Sequence, residues 1–199
     1  MLTIGITGGI GSGKTTVCKI FECLGIPVYN ADLQAKKLYD TDLILKTEII
    51  TAFGSDIYID EKFNPKKLAE LVFSNPEKLT LLNSLVHPRV RANMLEWRKK
   101  QKGPYCIREA ALLIESGAYR DVDDLILVSC PEEIRIKRSM LRDGSDESTI
   151  RMRMSKQMSE SEKIKYCRYE IRNDEHSLLI PQVLKLHRDF LNQAKESGF

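Results

Sequence analysis

Gly8-Gly9-Ile10-Gly11-Ser12-Gly13-Lys14-Thr15 fits the spacing Gly-x-x-x-x-Gly-Lys-[Ser/Thr], and each part of that spacing has a chemical reason. A glycine-rich loop turns successive backbone N–H groups inward around phosphate oxygens. The helix after it points its positive end at the same anion. Lys14 sets a compact charge against β- and γ-phosphates, and the Thr15 hydroxyl suits Mg²⁺ carried with them. Gly11, Ser12, Gly13, Lys14, Thr15 and Thr16 are therefore the expected nucleotide-binding residues. The loop follows the apolar run Leu2-Thr3-Ile4-Gly5-Ile6-Thr7 and precedes a helical pattern, which is the context the spacing requires.

The elements that must position these residues are legible as short β-branched runs alternating with segments of helical period. Strands are expected at 2–7, 26–30, 105–108 and 125–129, with a weaker one at 169–172. Strands separated by helices imply parallel pairing through right-handed crossovers, hence an α/β fold with a five-stranded parallel sheet and helices on both faces. Ligands bind at the C-terminal edge of such a sheet. The strands end there in Asn30-Ala31-Asp32, Glu109 and Asn173-Asp174, so these side chains should share one crevice. A last helix is expected from Pro181, with Val183, Leu184, His187, Phe190, Leu191 and Ala194 on its buried face. The nucleotide-binding core is then 1–59, 103–134 and 166–199. A helical insertion occupies about 60–102, and the polar, arginine-bearing stretch of about 135–165 reads as a lid.

The 199 residues, 42% hydrophobic and 30% charged, suit one domain. Thirty-one Lys+Arg against 28 Asp+Glu leave +3, which gives no argument for nucleic-acid binding. No apolar run approaches the roughly 18 residues of a membrane span, and the first residues read as a strand rather than a secretion leader. Cys18, Cys23, Cys106, Cys130 and Cys167 are scattered and odd in number, so they are expected to be reduced, packed thiols of a cytoplasmic protein. No Asn-Lys-x-Asp is present to read guanine. Small size, a helical insertion and a polar lid that excludes water point instead to a small-molecule kinase.

Over nearly its whole length the chain resembles the dephospho-coenzyme A kinase family, which has the three-layer P-loop NTPase fold. Gly5 to Val17 looks like that family's phosphate loop, and Leu24 to Asp32 is similar to its next element. His87-Pro88 matches its His-Pro pair, Glu109 to Gly117 its Asp-Val-Pro-Leu-Leu-Phe-Glu segment, Arg138, Arg142-Asp143, Arg153 and Gln157 its lid, and Asn173 its terminal Asn. Asn30 and Glu109 depart from the pattern: each stands where the family usually has Asp. The resemblance implies that ATP, with Mg²⁺, phosphorylates the ribose 3′-hydroxyl of dephospho-coenzyme A, the last step in making coenzyme A. A secondary alcohol is a poor nucleophile, so a carboxylate that takes its proton is needed, and Asp32 is the candidate. Asp32 is also a natural helix N-cap for the segment 33–39. Lys14, Arg138 and Arg142 complete the expected catalytic set, with Thr15 on Mg²⁺ and with His87, Glu109 and Arg153 as substrate-side candidates. His87 equally suits a cap for the following helix. The chain should act as a monomer or small homo-oligomer. The alternatives are a P-loop kinase acting on a nucleoside or nucleotide, and a non-catalytic ATP-binding module.

Overall fold

The computed structural model describes residues 1–73 and 75–198. They fall into two compact units, one of residues 1–30 and 101–199 and one of residues 31–100.

In chain order the first unit begins with β1 (Leu2–Thr7), α1 (Lys14–Cys23) and β2 (Val28–Asn30). The second unit is α2 (Ala31–Thr41), α3 (Leu43–Phe53), the strands β3 (Tyr58–Ile59) and β4 (Lys62–Phe63), α4 (Pro65–Phe73) and α5 (Pro76–Lys99). The chain then returns to the first unit with β5 (Tyr105–Glu109), β6 (Asp124–Ser129), α6 (Glu132–Asp143), α7 (Glu147–Met154), α8 (Glu160–Lys163), β7 (Tyr169–Arg172) and α9 (Leu179–Glu196).

The five long strands form one parallel sheet in the order β2-β5-β1-β6-β7. Leu2 pairs with Tyr105 and Ile6 with Glu109, Thr7 with Leu127, Asn30 with Glu109, and Ser129 with Arg172. Because all five run the same way, Thr7, Asn30, Glu109, Ser129 and Arg172 lie along one edge. β1 and β5 are buried at every position, as expected of central strands in a sheet covered on both faces. Ile4, Ile6, Tyr105, Ile107, Ile126 and Val128 pack with Val17 and Phe21 of α1 and Val183 and Phe190 of α9. At Gly5 a Cβ would stand 2.5 Å from Leu125 and 2.8 Å from Leu113, so β1 and the residues after β5 meet at a point with no room for a side chain.

Several features differ from the sequence expectation. The helical unit begins at Ala31 rather than near 60, because α2 and α3 group with α4 and α5 and not with the sheet. It also contains a two-residue hairpin, β3–β4, backed by Phe63 stacked on Tyr39 with centroids 4.1 Å apart. α9 begins at Leu179, two residues before Pro181; a proline is tolerated there because the first-turn N–H groups have no helical acceptor. Within the second unit, Asp42 caps α3 by accepting from Ile44 and Leu45, and Asn75 caps α5 by accepting from Lys78. No helix of the described residues is long and apolar enough to cross a membrane. All five cysteines are free; Cys18, Cys106 and Cys130 are buried as expected, whereas Cys23 is exposed at the end of α1.

On the α9 face, His187 Nδ1 and the Tyr105 hydroxyl share a 2.6 Å hydrogen bond. Burial pushes the His187 imidazole below the ordinary histidine range. The unfolded chain, with a histidine pKa of about 6.5, binds that proton more readily. The contribution of His187 to stability is therefore complete above that pH and lost as pH falls below it. His187→Gln should flatten the decline of melting temperature between neutral pH and about pH 5; an unaltered slope by calorimetry would count against this assignment.

Candidate functional site

The loop between β1 and α1 cannot close without its glycines. Gly11 and Gly13 hold φ of 79° and 92°, where a side chain is strained. A Cβ on Gly11 would stand 2.4 Å from the Arg135 carbonyl oxygen, and one on Gly13 would stand 2.1 Å from Asn173 Nδ2. Gly13 is the N-cap of α1, so the helix opens directly onto the loop. Lys14 arches back over this turn, its Nζ donating to the Gly8 and Gly9 carbonyls at 3.0 and 3.1 Å. Thr15 is exposed on the first turn of α1.

The loop is buttressed from outside by three segments. Asn173, just past β7, donates from Nδ2 to the Ser12 carbonyl at 2.8 Å, while its own N–H donates to Ser129 at the end of β6. Gln157 Oε1 accepts from the Ile10 N–H at 2.9 Å. Arg135 of α6 packs its guanidinium where a Cβ on Gly9 would lie, and pairs with Glu160 at 3.5 Å. Burial holds the Glu160 carboxyl above its usual range against the pull of Arg135. The Ser12 and Ser139 hydroxyls are buried here without a hydrogen-bond partner among the described residues.

The expected arginines divide. Arg138 reaches the loop: its Nη1 donates to the Asn173 carbonyl at 3.3 Å and to Cys130 Sγ at 3.5 Å, and lies 3.9 Å from where a Gly13 Cβ would stand. Its Nη2 pairs with Glu175 at 3.3 Å. Arg142 and Arg153 instead converge on Asp143, at 2.7 and 3.0 Å, and their side chains are 62% and 48% exposed. The Arg142 hydrogen bond holds the Asp143 carboxyl below its usual range. Both arginines are accordingly poised at solvent on a shared carboxylate.

On the sheet edge, Asn30 Nδ2 donates to Glu109 Oε2 between residues paired in register. Glu109 is 5% exposed. Its charge, after burial, raises the pKa of the Cys18 thiol in α1, while the Lys14 ammonium lowers it, so carboxylate and ammonium both act on that helix turn. Among the described residues no group of three His, Cys, Asp or Glu side chains could cage a metal. One exposed hydroxyl at Thr15 and one fixed carboxylate at Glu109 fit instead a cation that arrives bound to a polyphosphate.

A family model described as dephospho-CoA kinase matches residues 2–178. The chain belongs to the dephospho-CoA kinase family. A dephospho-CoA kinase from Porphyromonas gingivalis is 39% identical over 187 residues, covering 94% of this chain and 93% of that protein. One from Colwellia psychrerythraea is 36% identical, with 98% of each covered. Among solved structures, a dephospho-CoA kinase from Campylobacter jejuni aligns with a TM-score of 0.69 at 28% identity, over 96% of this chain and 98% of that one. A Thermus thermophilus protein, TT1252, aligns with a TM-score of 0.86 at 32% identity, over 94% and 96%. A shikimate kinase from Bacteroides thetaiotaomicron shares the fold with a TM-score of 0.55 at 15% identity, over 96% of this chain and 98% of that one.

Two residues matched to the dephospho-CoA kinase pattern lie in the helical unit. Asp32 is exposed within the first turn of α2, where the helix dipole favours its charge; the helix starts at Ala31, so Asp32 is not its N-cap. His87 is exposed inside α5, which runs unbroken through Pro88, so it caps no following helix. Sequence reasoning passed over Arg135 and Glu160. Arg135 lies one turn before Arg138, and that spacing was the available signal; nothing marked Glu160, whose role depends on a fold-back of 25 residues.

Asn30→Asp would set two carboxylates in contact at a buried edge, and one of them would hold a proton at raised pKa. A carboxyl whose folded pKa exceeds its unfolded value of about 4 is stable below that value and destabilising as pH rises. The melting temperature of the variant should therefore fall further behind the parent at about pH 8 than at about pH 5. A gap that does not change with pH would show that Asn30 and Glu109 are not coupled.

Proposed function

We propose that the chain transfers the γ-phosphoryl group of ATP to the ribose 3′-hydroxyl of dephospho-coenzyme A, releasing coenzyme A and ADP. The reading is carried by the buttressed phosphate loop in a chain that the dephospho-CoA kinase family model matches from residue 2 to residue 178. The loop amides and the N-terminus of α1 bind the β-phosphate, and Lys14 exchanges the Gly8 and Gly9 carbonyls for phosphate oxygens. Mg²⁺ bound with the nucleotide would be held by the Thr15 hydroxyl, with Glu109 as the carboxylate for it or its water, and would supply charge neutralisation to the polyphosphate. Arg138 stands beside the loop to meet developing charge, and Arg142 and Arg153 exchange Asp143 for phosphate when the 135–165 segment closes as a lid. Asp32 takes the proton of the attacking hydroxyl, and His87 lies on the helical unit that receives the acceptor. Five free thiols suit a reducing cytoplasm, with the chain working as a monomer or small homo-oligomer.

Incubation with Mg-ATP and a panel of dephospho-coenzyme A, nucleosides and nucleoside monophosphates tests the acceptor. ADP should be released rapidly with dephospho-coenzyme A and not with the others. The reverse pattern would assign a nucleotide kinase, and ATP binding without acceptor-stimulated release would assign a binding module.

Lys14→Ala should nearly abolish turnover. Asp32→Asn should lower kcat by roughly 100-fold or more while leaving ATP affinity close to the parent, as expected when a general base is lost. A variant that retains parental kcat would remove Asp32 from that role.

A further inference from the structure

We infer that Gln157 is a further residue of the phosphoryl-transfer site, donating from its carboxamide Nε2 to an oxygen of the group in flight while its Oε1 holds the crown of the phosphate loop. The inference deepens the kinase reading and rests on it. Ile10 N–H can only donate, so the atom it meets at 2.9 Å must be the carboxamide oxygen. That fixes the amide and leaves a group with two N–H donors on its other arm, which meets no protein acceptor among the described residues.

The position of Gln157 is not that of a loose loop. Its N–H donates to Met154 at the end of α7 at 3.0 Å. The next residue, Met158, donates its N–H to Glu115 Oε1 at 3.0 Å. Glu115 is gripped at 3.0 Å by Lys163, whose side chain is fully buried and also donates to the Ala111 carbonyl at 2.9 Å. A buried ammonium with two oxygen partners keeps this junction in one arrangement, since losing either partner would strand a charge. Gln157 is thus tied through Met158 to the segment just after β5 and through its own side chain to the loop after β1. It also borders a cavity of about 470 Å³ lined by Arg135, Arg151, Met154 and Glu160, so the side chain is not packed in on every side.

A neutral donor pre-set at this place strengthens as charge grows on phosphoryl oxygens, without the desolvation cost of another cation. Glutamate has the same length and keeps an acceptor for Ile10, but it loses both donors. Gln157→Glu should therefore preserve melting temperature and hold ADP affinity within about twofold, while kcat falls about 100-fold. Titration with ADP, Mg²⁺ and aluminium fluoride, a mimic of the transferring group, reports the same interaction without any acceptor. The parent should bind this mixture more tightly than Mg-ADP, and Gln157→Glu should lose most of that gain. If the glutamate variant does not fold, Gln157→Met, which loses the Ile10 acceptor as well as the donors, should bind Mg-ADP more weakly and also lose the gain of the mimic over its own Mg-ADP affinity. Retention of kcat and of mimic affinity within about threefold would overturn the inference, as would a loss of ADP affinity equal to the loss of kcat. A parent inert toward dephospho-coenzyme A that still prefers the mimic would sink the acceptor assignment alone.

Discussion

A loop that is to bind phosphate through its backbone must keep several peptide N–H groups aimed into one hollow, and nothing within the loop can hold them there. The usual backbone partners are forfeited to the anion, so the restraint has to come from outside. In this chain it comes through the carbonyls and the outer face of the turn. Asn173 grips the Ser12 carbonyl, Gln157 takes the Ile10 amide, and the Arg135 and Ser139 side of α6 presses on Gly9 and Gly11. The glycines follow from that arrangement rather than causing it. At Gly11 the Arg135 carbonyl oxygen comes within 2.4 Å of a would-be Cβ, so a side chain cannot be present there whatever φ the residue prefers, and at Gly9 and Gly13 one would displace the buttressing side chains at 2.0 and 2.1 Å. The shape of this loop is therefore a property of β6, α6, the segment before α8 and the residue after β7 together.

The same logic explains why two departures from the family pattern occur as a pair. The register sets residue 30 of β2 beside residue 109 of β5, and the buried edge brings their side chains into contact. Two acids at that distance repel and share a proton; an amide donor against a single carboxylate is satisfied in one protonation state. Glu109 carries one more methylene than the usual Asp, which gives it reach toward β2, and Asn30 supplies the donor that fixes it. Neither substitution is intelligible alone. The negative charge left at the edge is one rather than two, and it stands beside a helix turn also acted on by Lys14.

Much of this is legible in the amino-acid sequence, and the limits have physical causes. β1 announces itself because both faces are buried and every residue is apolar or small, so it carries the boundaries its run suggests; the edge strand β7 does so too although Glu170 and Arg172 are exposed, and β5 extends one residue further, to Glu109. β2 starts at Val28 instead of Ile26 because Pro27 has no N–H for a ladder, although its carbonyl accepts from Ile107. The β3–β4 hairpin was invisible because Asp60 and Glu61 occupy positive φ without the Gly or Asn that normally signals such a turn. The extent of the helical unit could not be read, since a helix following a parallel strand is expected to pack on the sheet, and only tertiary contacts assign α2 and α3 elsewhere. Lys14 and Thr15 declared themselves by spacing; Arg135, Glu160 and Lys163 did not, because charged residues in a polar stretch resemble a solvated face.

Lys163 shows what that resemblance conceals. It lies in a run of glutamates, serines and lysines with the composition of an exposed turn, yet its side chain is wholly buried. A lone ammonium would not remain there; the Glu115 carboxylate and the Ala111 carbonyl make the burial tolerable. Those partners belong to the stretch leaving β5, which carries Glu109, and the carboxylate also holds Met158 next to Gln157. The Thr7 hydroxyl at the end of β1 reaches the same Ala111 carbonyl at 3.4 Å. One carbonyl and one carboxylate therefore tie the end of β1, the exit of β5 and the segment before α8 into a polar junction within the first unit. Movement of α6 and α7 that kept this junction would pivot about it, leaving Gln157 beside the loop while the more exposed Arg142 and Arg153 changed partners. Placing the charge inside rather than on the surface makes the junction specific: an apolar contact could slide, but a buried ion pair has one geometry in which all its groups are satisfied.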